Sequence, residues 1–379
     1  VTDNSSSAPA SQTQVQHPRF EKVLLVLLGM IITLMALGAG VRTMGAGLSC
    51  PDWPLCFGQV IPDFHVGVYF EFIHRAYAGL VALVFVGCLW YVLREVKAGR
   101  MVRSARVAAW TGFVVLMAQI LMGGLTVLLV VKSIVVTSHL MLATIFIASV
   151  WCLFHVVRRQ RRPANAPRSL AKEIAGRAAA AAFWGKWAAI ALSSAILAQI
   201  FLGGLVASTY SGMVCVDWPL CNGQWVPTLS GAIGLQIIHR FVAYALVVAV
   251  LGFSIWLAIA SRDAIAGFSL SPRLARLSVL FGALIVAQLV VGVLNLIWYI
   301  PAHLTVLHQS LAVLLLAVSL RIWWSLADVQ VAIELAERAV LSATGPARGS
   351  VTQDMMTSVD ATAAPASRPA DYRETEITV

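Results

Sequence analysis

The sequence predicts an all-α integral membrane protein, with eight transmembrane helices forming two tandem four-helix bundles related by a pseudo-two-fold axis along the membrane normal. Three observations carry this prediction. Apolar runs of about 20 residues, long enough to cross a hydrocarbon core, recur along the whole chain. Hydrophobic residues make up 59% of the 379 positions and charged residues 12%, with a mean hydropathy of +0.84, a balance that a water-facing surface could not carry. Finally, the segment from Gly47 to Cys56 returns as Gly212 to Cys221, with Cys, Asp-Trp-Pro-Leu and Cys in the same places. Internal similarity on this scale means that one structural unit is built twice.

The elements follow in order. Residues 1–19 are rich in Ser and Gln and are expected to form a disordered tail. The first apolar run, residues 23–41, is long enough to span and has no clear cleavage site, so a retained helix is expected rather than a signal peptide. Asp3, and the lack of arginine before Arg19, argue against a mitochondrial presequence. The second and third spans are expected over 66–93 and 107–131, separated by a link holding Arg94, Lys97, Arg100, Arg103 and Arg106. The fourth, 134–157, leads into a strongly basic linker at 158–186 that joins the two units. The fifth to eighth spans fall over 188–208, 233–260, 277–300 and 304–326, with Arg262, Arg273 and Arg276 after the sixth. Residues 327–379 are expected to be a largely disordered tail. The domain plan is thus a tail at 1–19, a four-helix unit at 20–157, a linker at 158–186, a second unit at 187–326 and a tail at 327–379.

Charge placement sets the orientation. The opposite side of the membrane carries little positive charge beyond Arg42 and Lys132, so the basic links are expected to be cytoplasmic, with both termini. In a bacterial inner membrane the cysteine-bearing loops are then periplasmic. The net charge of +10 sits at membrane flanks facing anionic lipid, and calls for no nucleic-acid partner.

The repeat extends beyond the loop. At an offset of 165, Gln59 meets Gln224, Pro62 meets Pro227, His74 meets His239 and Arg75 meets Arg240; at 169, Ala118-Gln119 meets Ala287-Gln288 and His139 meets His308. Each unit has an even number of spans, so both enter the membrane in the same sense. Of the eight histidines, His74, His139, His239 and His308 lie inside spans two, four, six and eight, a few residues below the outer end. At ~1.5 Å per residue, that puts all four at one depth, about 8–12 Å inside the outer boundary. A lone membrane histidine is as well explained by an interhelical hydrogen bond. Four in repeat-related pairs point to function, because polar groups here are costly. Two facing imidazoles are suited to be axial ligands of a haem iron. Zinc fits less well, since no intramembrane thiol or second carboxylate completes a set of four ligands.

Arg75 and Arg240 follow two of these histidines, and a haem propionate would suit either guanidinium; snorkelling to lipid headgroups is the simpler use. Glu71 lies three residues before His74, on one helix face with it, whereas the repeat position is Gln236. A desolvated carboxylate beside one pair suits proton transfer, and a hydrogen bond to a loop is the structural alternative. The asymmetry favours chemistry in the first half and a redox role in the second. Cys50 and Cys56, with Cys215 and Cys221, sit in loops on the oxidising side, where disulfides are permitted. Four cysteines allow three connectivities. The short ring favours pairing Cys50 with Cys56 and Cys215 with Cys221, either as staples over the histidine sites or as reducible pairs. Cys88 and Cys152 lie in spans, as core packing.

Together, the Glu71-Phe72-Ile73-His74-Arg75 run, the paired Cys-x5-Cys loops with Asp-Trp-Pro, and the four histidines on alternating helices resemble the haem A synthase family over residues 20–326. The resemblance implies an enzyme that oxidises the C8 methyl of haem O to a formyl group with O2 and electrons from a donor, giving haem A for cytochrome oxidase. It implies that His74 and His139 take haem O in the first unit, and that His239 and His308 ligate a haem b cofactor in the second. Glu71 matches the family's catalytic acid. The first cysteine pair matches a disulfide found in part of the family; the second is not universal there. Haem O synthase and cytochrome oxidase assembly proteins are the partners implied.

Three other classes compete. A di-haem b-type electron carrier would use the same histidines, but the Glu71/Gln236 asymmetry has no place in it. A haem transporter would suit the parallel repeats; transporters favour helices broken by Gly or Pro, and Pro is absent from all eight apolar runs. A thiol oxidoreductase would use the cysteine loops, but its usual Cys-x-x-Cys spacing is missing.

Overall fold

Eight helices, each long and apolar enough to cross a membrane, make up the computed structural model, which describes residues 16–160, 172–262 and 272–344. They are α1 (Pro18–Thr43), α2 (Val66–Lys97), α3 (Arg103–Leu128), α4 (Ser133–Arg159), α5 (Lys172–Ser208), α6 (Gly231–Arg262), α7 (Pro272–Ile297) and α8 (Ala302–Thr344). In lipid every backbone polar group must be satisfied within the chain, and the α-helix does this segment by segment. Apolar side chains accordingly face outward as well as inward: Leu83 and Val248 are more than 70% exposed, on the surfaces a bilayer would cover.

In the first half α1 packs on α2, α2 on α3, α3 on α4, and α4 back on α1. Its core includes Leu24, Leu27, Phe85, Val92, Val150 and Leu153. Gly112 of α3 admits the Phe85 ring so closely that an added Cβ would lie 2.7 Å from Phe85 Cζ. The second half repeats the circuit, α5 on α6, α6 on α7, α7 on α8 and α8 on α5, around Ala189, Val250, Leu257, Phe281, Ile322 and Leu326. The halves meet where α1 and α4 touch α8 and α5. Polar contacts stitch this seam: Gln309 Nε2 donates to Met35 O at 3.2 Å, Ser133 Oγ to Ser208 O at 2.8 Å, and the Thr137 and Ser208 hydroxyls lie 3.0 Å apart.

All eight expected spans are present, but the flanks differ from the sequence reading. Helix α1 starts at Pro18, inside the expected tail; proline suits a first helical turn because its missing N–H would be unpaired there. Of the expected linker 158–186, α4 takes Arg158 and Arg159, and α5 takes everything from Lys172. Helix α8 runs past 326 to Thr344, because its extension is anchored: Ile333 is buried, Lys186 Nζ donates to Gln330 Oε1 at 2.7 Å, and Arg159 pairs with Asp328 at 3.2 Å. The remaining tail and linker expectations, at residues 1–15, 161–171 and 345–379, lie outside the described residues.

Candidate functional site

The cysteine loops lie between α1 and α2 and between α5 and α6, and the two are built alike. Cys50 is disulfide-bonded to Cys56, and Cys215 to Cys221. Cys56 and Gln59 exchange two backbone hydrogen bonds across a two-residue turn, as do Cys221 and Gln224. Both central residues of each turn have positive φ: Phe57 and Gly58 in one, Asn222 and Gly223 in the other. Asn-Gly is the favoured pair for such a turn, whereas a phenylalanine must be held there. An aspartate does the holding. Asp52 accepts from Phe57 N at 2.7 Å and Gly58 N at 2.8 Å, and Asp217 from Asn222 N and Gly223 N at 2.7 and 2.9 Å. These backbone bonds, Gly58 first in one loop and Gly223 first in the other, hold both carboxyls below their usual titration range.

Arg75 and Arg240 fasten the loops to the helices beneath. Arg75 Nη1 donates to Asp52 O and Leu55 O, each at 2.7 Å, and Nη2 to Cys50 O at 3.2 Å. Arg240 makes the matching bonds to Asp217 O, Leu220 O and Cys215 O at 3.1, 2.8 and 2.7 Å. The guanidinium's rigid planar fork, with up to five donors, holds several carbonyls in one fixed arrangement. The sequence offered both arginines to a propionate or to headgroups; in the structure their Nη atoms serve loop carbonyls.

Glu71 is 4% exposed, and both its oxygens are engaged. Oε1 pairs with Arg75, and Oε2 accepts from Cys50 N at 2.8 Å. Gln236, its counterpart, donates to Gly212 O at 3.3 Å and leaves its own Oε1 buried without a partner. Glu71 therefore has the loop bond weighed above as its structural use, one helical turn from His74.

The four histidines lie on α2, α4, α6 and α8, and each rests on a glycine of the preceding helix. A Cβ added to Gly38 would be 3.0 Å from His74 Cε1; to Gly123, 3.1 Å from His139 Cε1; to Gly203, 3.1 Å from His239 Cε1; to Gly292, 2.9 Å from His308 Cε1. Any larger residue would push the ring away. His74 and His139 belong to the first half and His239 and His308 to the second, two imidazoles in each.

Glutamines border three of the rings. Gln119 Nε2 is 3.4 Å from His139 Nε2, Gln288 Nε2 is 3.3 Å from His308 Nε2, and Gln199 Nε2 is 3.0 Å from His239 Nδ1. Nδ1 of His74, His139 and His308 is buried without a hydrogen-bond partner. Orphaned imidazole nitrogens are rare in a folded interior, and mark groups built for something beyond packing. The glycines and Gln199 were not singled out from sequence, although a signal was there. Ala-Gln-x-x-x-Gly recurs on α3, α5 and α7, as Gln119/Gly123, Gln199/Gly203 and Gln288/Gly292. Of the other four histidines, His17 lies 3.0 Å from the Tyr91 hydroxyl, His155 stacks on Trp324, and His65 and His303 are exposed.

A family model described as cytochrome oxidase assembly protein matches residues 21–320, more than half of the chain. The chain belongs to the COX15-CtaA family. Curated proteins with which it is similar include the "Heme A synthase" of Halalkalibacterium halodurans, 30% identical over 235 residues, covering 61% of this chain and 74% of that protein. The "Heme A synthase" of Shewanella oneidensis is 27% identical over 338 residues, covering 78% and 92%, and that of Methylobacterium sp. is 26% identical over 371 residues, covering 83% and 94%. The COX15-CtaA match begins in α1 and ends in α8, so it includes both cysteine loops and all four histidines.

Proposed function

We propose that this chain is a haem A synthase that oxidises the C8 methyl of haem O to a formyl group. The observation that carries the reading is the set of four imidazoles, two in each half on α2, α4, α6 and α8, each resting on a glycine, with three Nδ1 atoms left without partners inside the helices. Uncharged imidazoles in an apolar interior suit an iron porphyrin, whose flat body wants apolar walls and whose metal wants nitrogen donors. On this reading the two halves are four-helix bundles related by a pseudo-two-fold axis along the membrane normal. The protein sits in a bacterial inner membrane with both termini cytoplasmic and the cysteine loops periplasmic.

His74 and His139 would hold haem O, and His239 and His308 would hold haem b. Bound there, haem b would supply one-electron transfer. Two O2-dependent hydroxylations of the same methyl give a geminal diol that loses water to the aldehyde. What the chain contributes is placement and charge. The glycines fix the rings, the loop closed by Cys50 and Cys56 covers the first pair, and Glu71 sets a carboxylate one turn from His74, where it can take protons or stabilise positive charge developing on the substrate. The Glu71/Gln236 contrast supports assigning oxidation to the first half and electron relay to the second. Haem O synthase and cytochrome oxidase assembly proteins would stand before and after it.

Expression with a source of haem O, followed by chromatography of the extracted haems, tests the reading. Haem A is expected; haem O and haem B alone would overturn it. His239→Ala is expected to lose haem b from the purified protein.

A further inference from the structure

The odd-numbered helices present their glycines in one recurring frame. Four residues before Gly123, Gly203 and Gly292 stands a glutamine; four residues before Gly38 stands Leu34. Positions four apart share a helix face, and each of these glutamines reaches the histidine that rests on its glycine. His74, whose clasping helix carries Leu34 at that position, is the one ring of the four that makes no hydrogen bond among the described residues. His239 is at the other extreme. The Gln199 amide lies 3.0 Å from its Nδ1 and donates to its own carbonyl at 2.8 Å, gripping ring and backbone together. Gln119 and Gln288 approach from the Nε2 side and at longer range, so Gln199 alone supports a ring through Nδ1 and leaves Nε2 for a metal.

We infer that the residue preceding each clasping glycine by one turn sets how firmly its histidine is held, so that Gln199 makes His239 a retained ligand and Leu34 makes His74 a releasable one. This rests on the haem reading of the two pairs. A ligating imidazole is oriented, and made more basic, by the partner of its second nitrogen. With Nε2 committed to a metal, Nδ1 carries a hydrogen, and Gln199 answers it by turning its unpartnered Oε1 toward the ring, exchanging the bond to His239 O for one to Nδ1–H. Leucine can do neither. A site that must admit substrate and discharge product needs a ligand that lets go; a site holding a resident cofactor needs the reverse.

Reciprocal swaps in full-length protein test this. With His74→Ala and His139→Ala removing the first pair, Gln199→Leu is expected to speed haem loss to an apo-globin acceptor by about ten-fold or more, and to shift the midpoint potential and the electron paramagnetic resonance signature of the haem that remains. Gln199→Glu, which keeps an acceptor at Nδ1, should restore slow loss with a lower potential. With His239→Ala and His308→Ala removing the second pair, Leu34→Gln should slow haem loss by a similar factor. Unchanged rates and spectra in both swaps would overturn the inference; should Gln199→Leu fail to fold, an unchanged Leu34→Gln would overturn it alone. If the unaltered protein holds no haem at either pair, the functional reading itself fails, a separate result.

Discussion

Cys50 N donates to Glu71 Oε2 at 2.8 Å, whereas the repeat-related Gln236 donates instead to Gly212 O at 3.3 Å. The same loop therefore sits on a carboxylate in one half and on a neutral amide in the other. Glu71→Gln keeps an acceptor for Cys50 N and removes only the charge, so loop and fold are expected to survive. If the carboxylate acts in proton transfer, conversion of haem O falls by about 100-fold or more, while haem held by His239 and His308 is unaffected. Extracted-haem chromatography beside a haem-to-protein ratio reads both; full conversion by the variant would remove Glu71 from the chemistry.

Asp52 and Asp217 give the loops a pH dependence whose sign can be worked out. Backbone N–H donors hold each folded carboxyl below its usual range, Gly58 and Gly223 contributing most. A depressed folded value means the bonds stabilise the loop fully above the unfolded pKa of about 3.9, and are lost as pH falls through the folded value. Reduction of the two disulfides by a phosphine is therefore expected to be slow and level from pH 7 to about 5, then to accelerate below about 4. Asp52→Asn should flatten this acid limb for Cys50–Cys56 alone.

How much of this was legible in the sequence depends on the range of the force concerned. Helix number followed from apolar runs, because the bilayer acts on every residue of a span alike. The equivalence of His74 with His239 and of His139 with His308 was legible from the repeat, at offsets of 165 and 169. The fate of Arg75 did not follow: a guanidinium can serve a propionate, a headgroup or a carbonyl, and only the folded loop presents Cys50, Asp52 and Leu55 carbonyls together. The extension of α8 to Thr344 was also hidden, since it depends on contacts with Lys186 and Arg159, far away in the chain. The glycines were visible but unread, because a glycine in a membrane helix carries no meaning until the ring that rests on it is known.

Arg75 and Arg240 make matched carbonyl bonds, but only Arg75 also neutralises a carboxylate. Arg75→Met strands Glu71 as a buried charge and should cost about 3 kcal/mol, whereas Arg240→Met strands no charge and should cost less. Adding Glu71→Gln to Arg75→Met should recover part of the loss. Thermal unfolding in detergent, read as a double-mutant cycle, checks the coupling; equal damage from the two arginine variants would contradict it.

Gly292 and Gly40 separate the clasp from ordinary helix effects. A Cβ at Gly292 falls 2.9 Å from His308 Cε1, closer than real Cβ atoms come, so the ring or a helix must move; one at Gly40 meets nothing within 4 Å. Alanine is the better helix former by roughly 1 kcal/mol, and overpacking costs about 1–3 kcal/mol. Gly40→Ala should thus be neutral or slightly stabilising, with an unchanged haem spectrum. If the displaced His308 ring is a haem ligand, Gly292→Ala should lose bound haem or shift its Soret band while the protein still accumulates in the membrane. Gly203→Ala, at 3.1 Å from His239 Cε1, should do the same more mildly. Spectra of all three variants, normalised to protein, would expose the clasp as mere packing if Gly292→Ala matched Gly40→Ala.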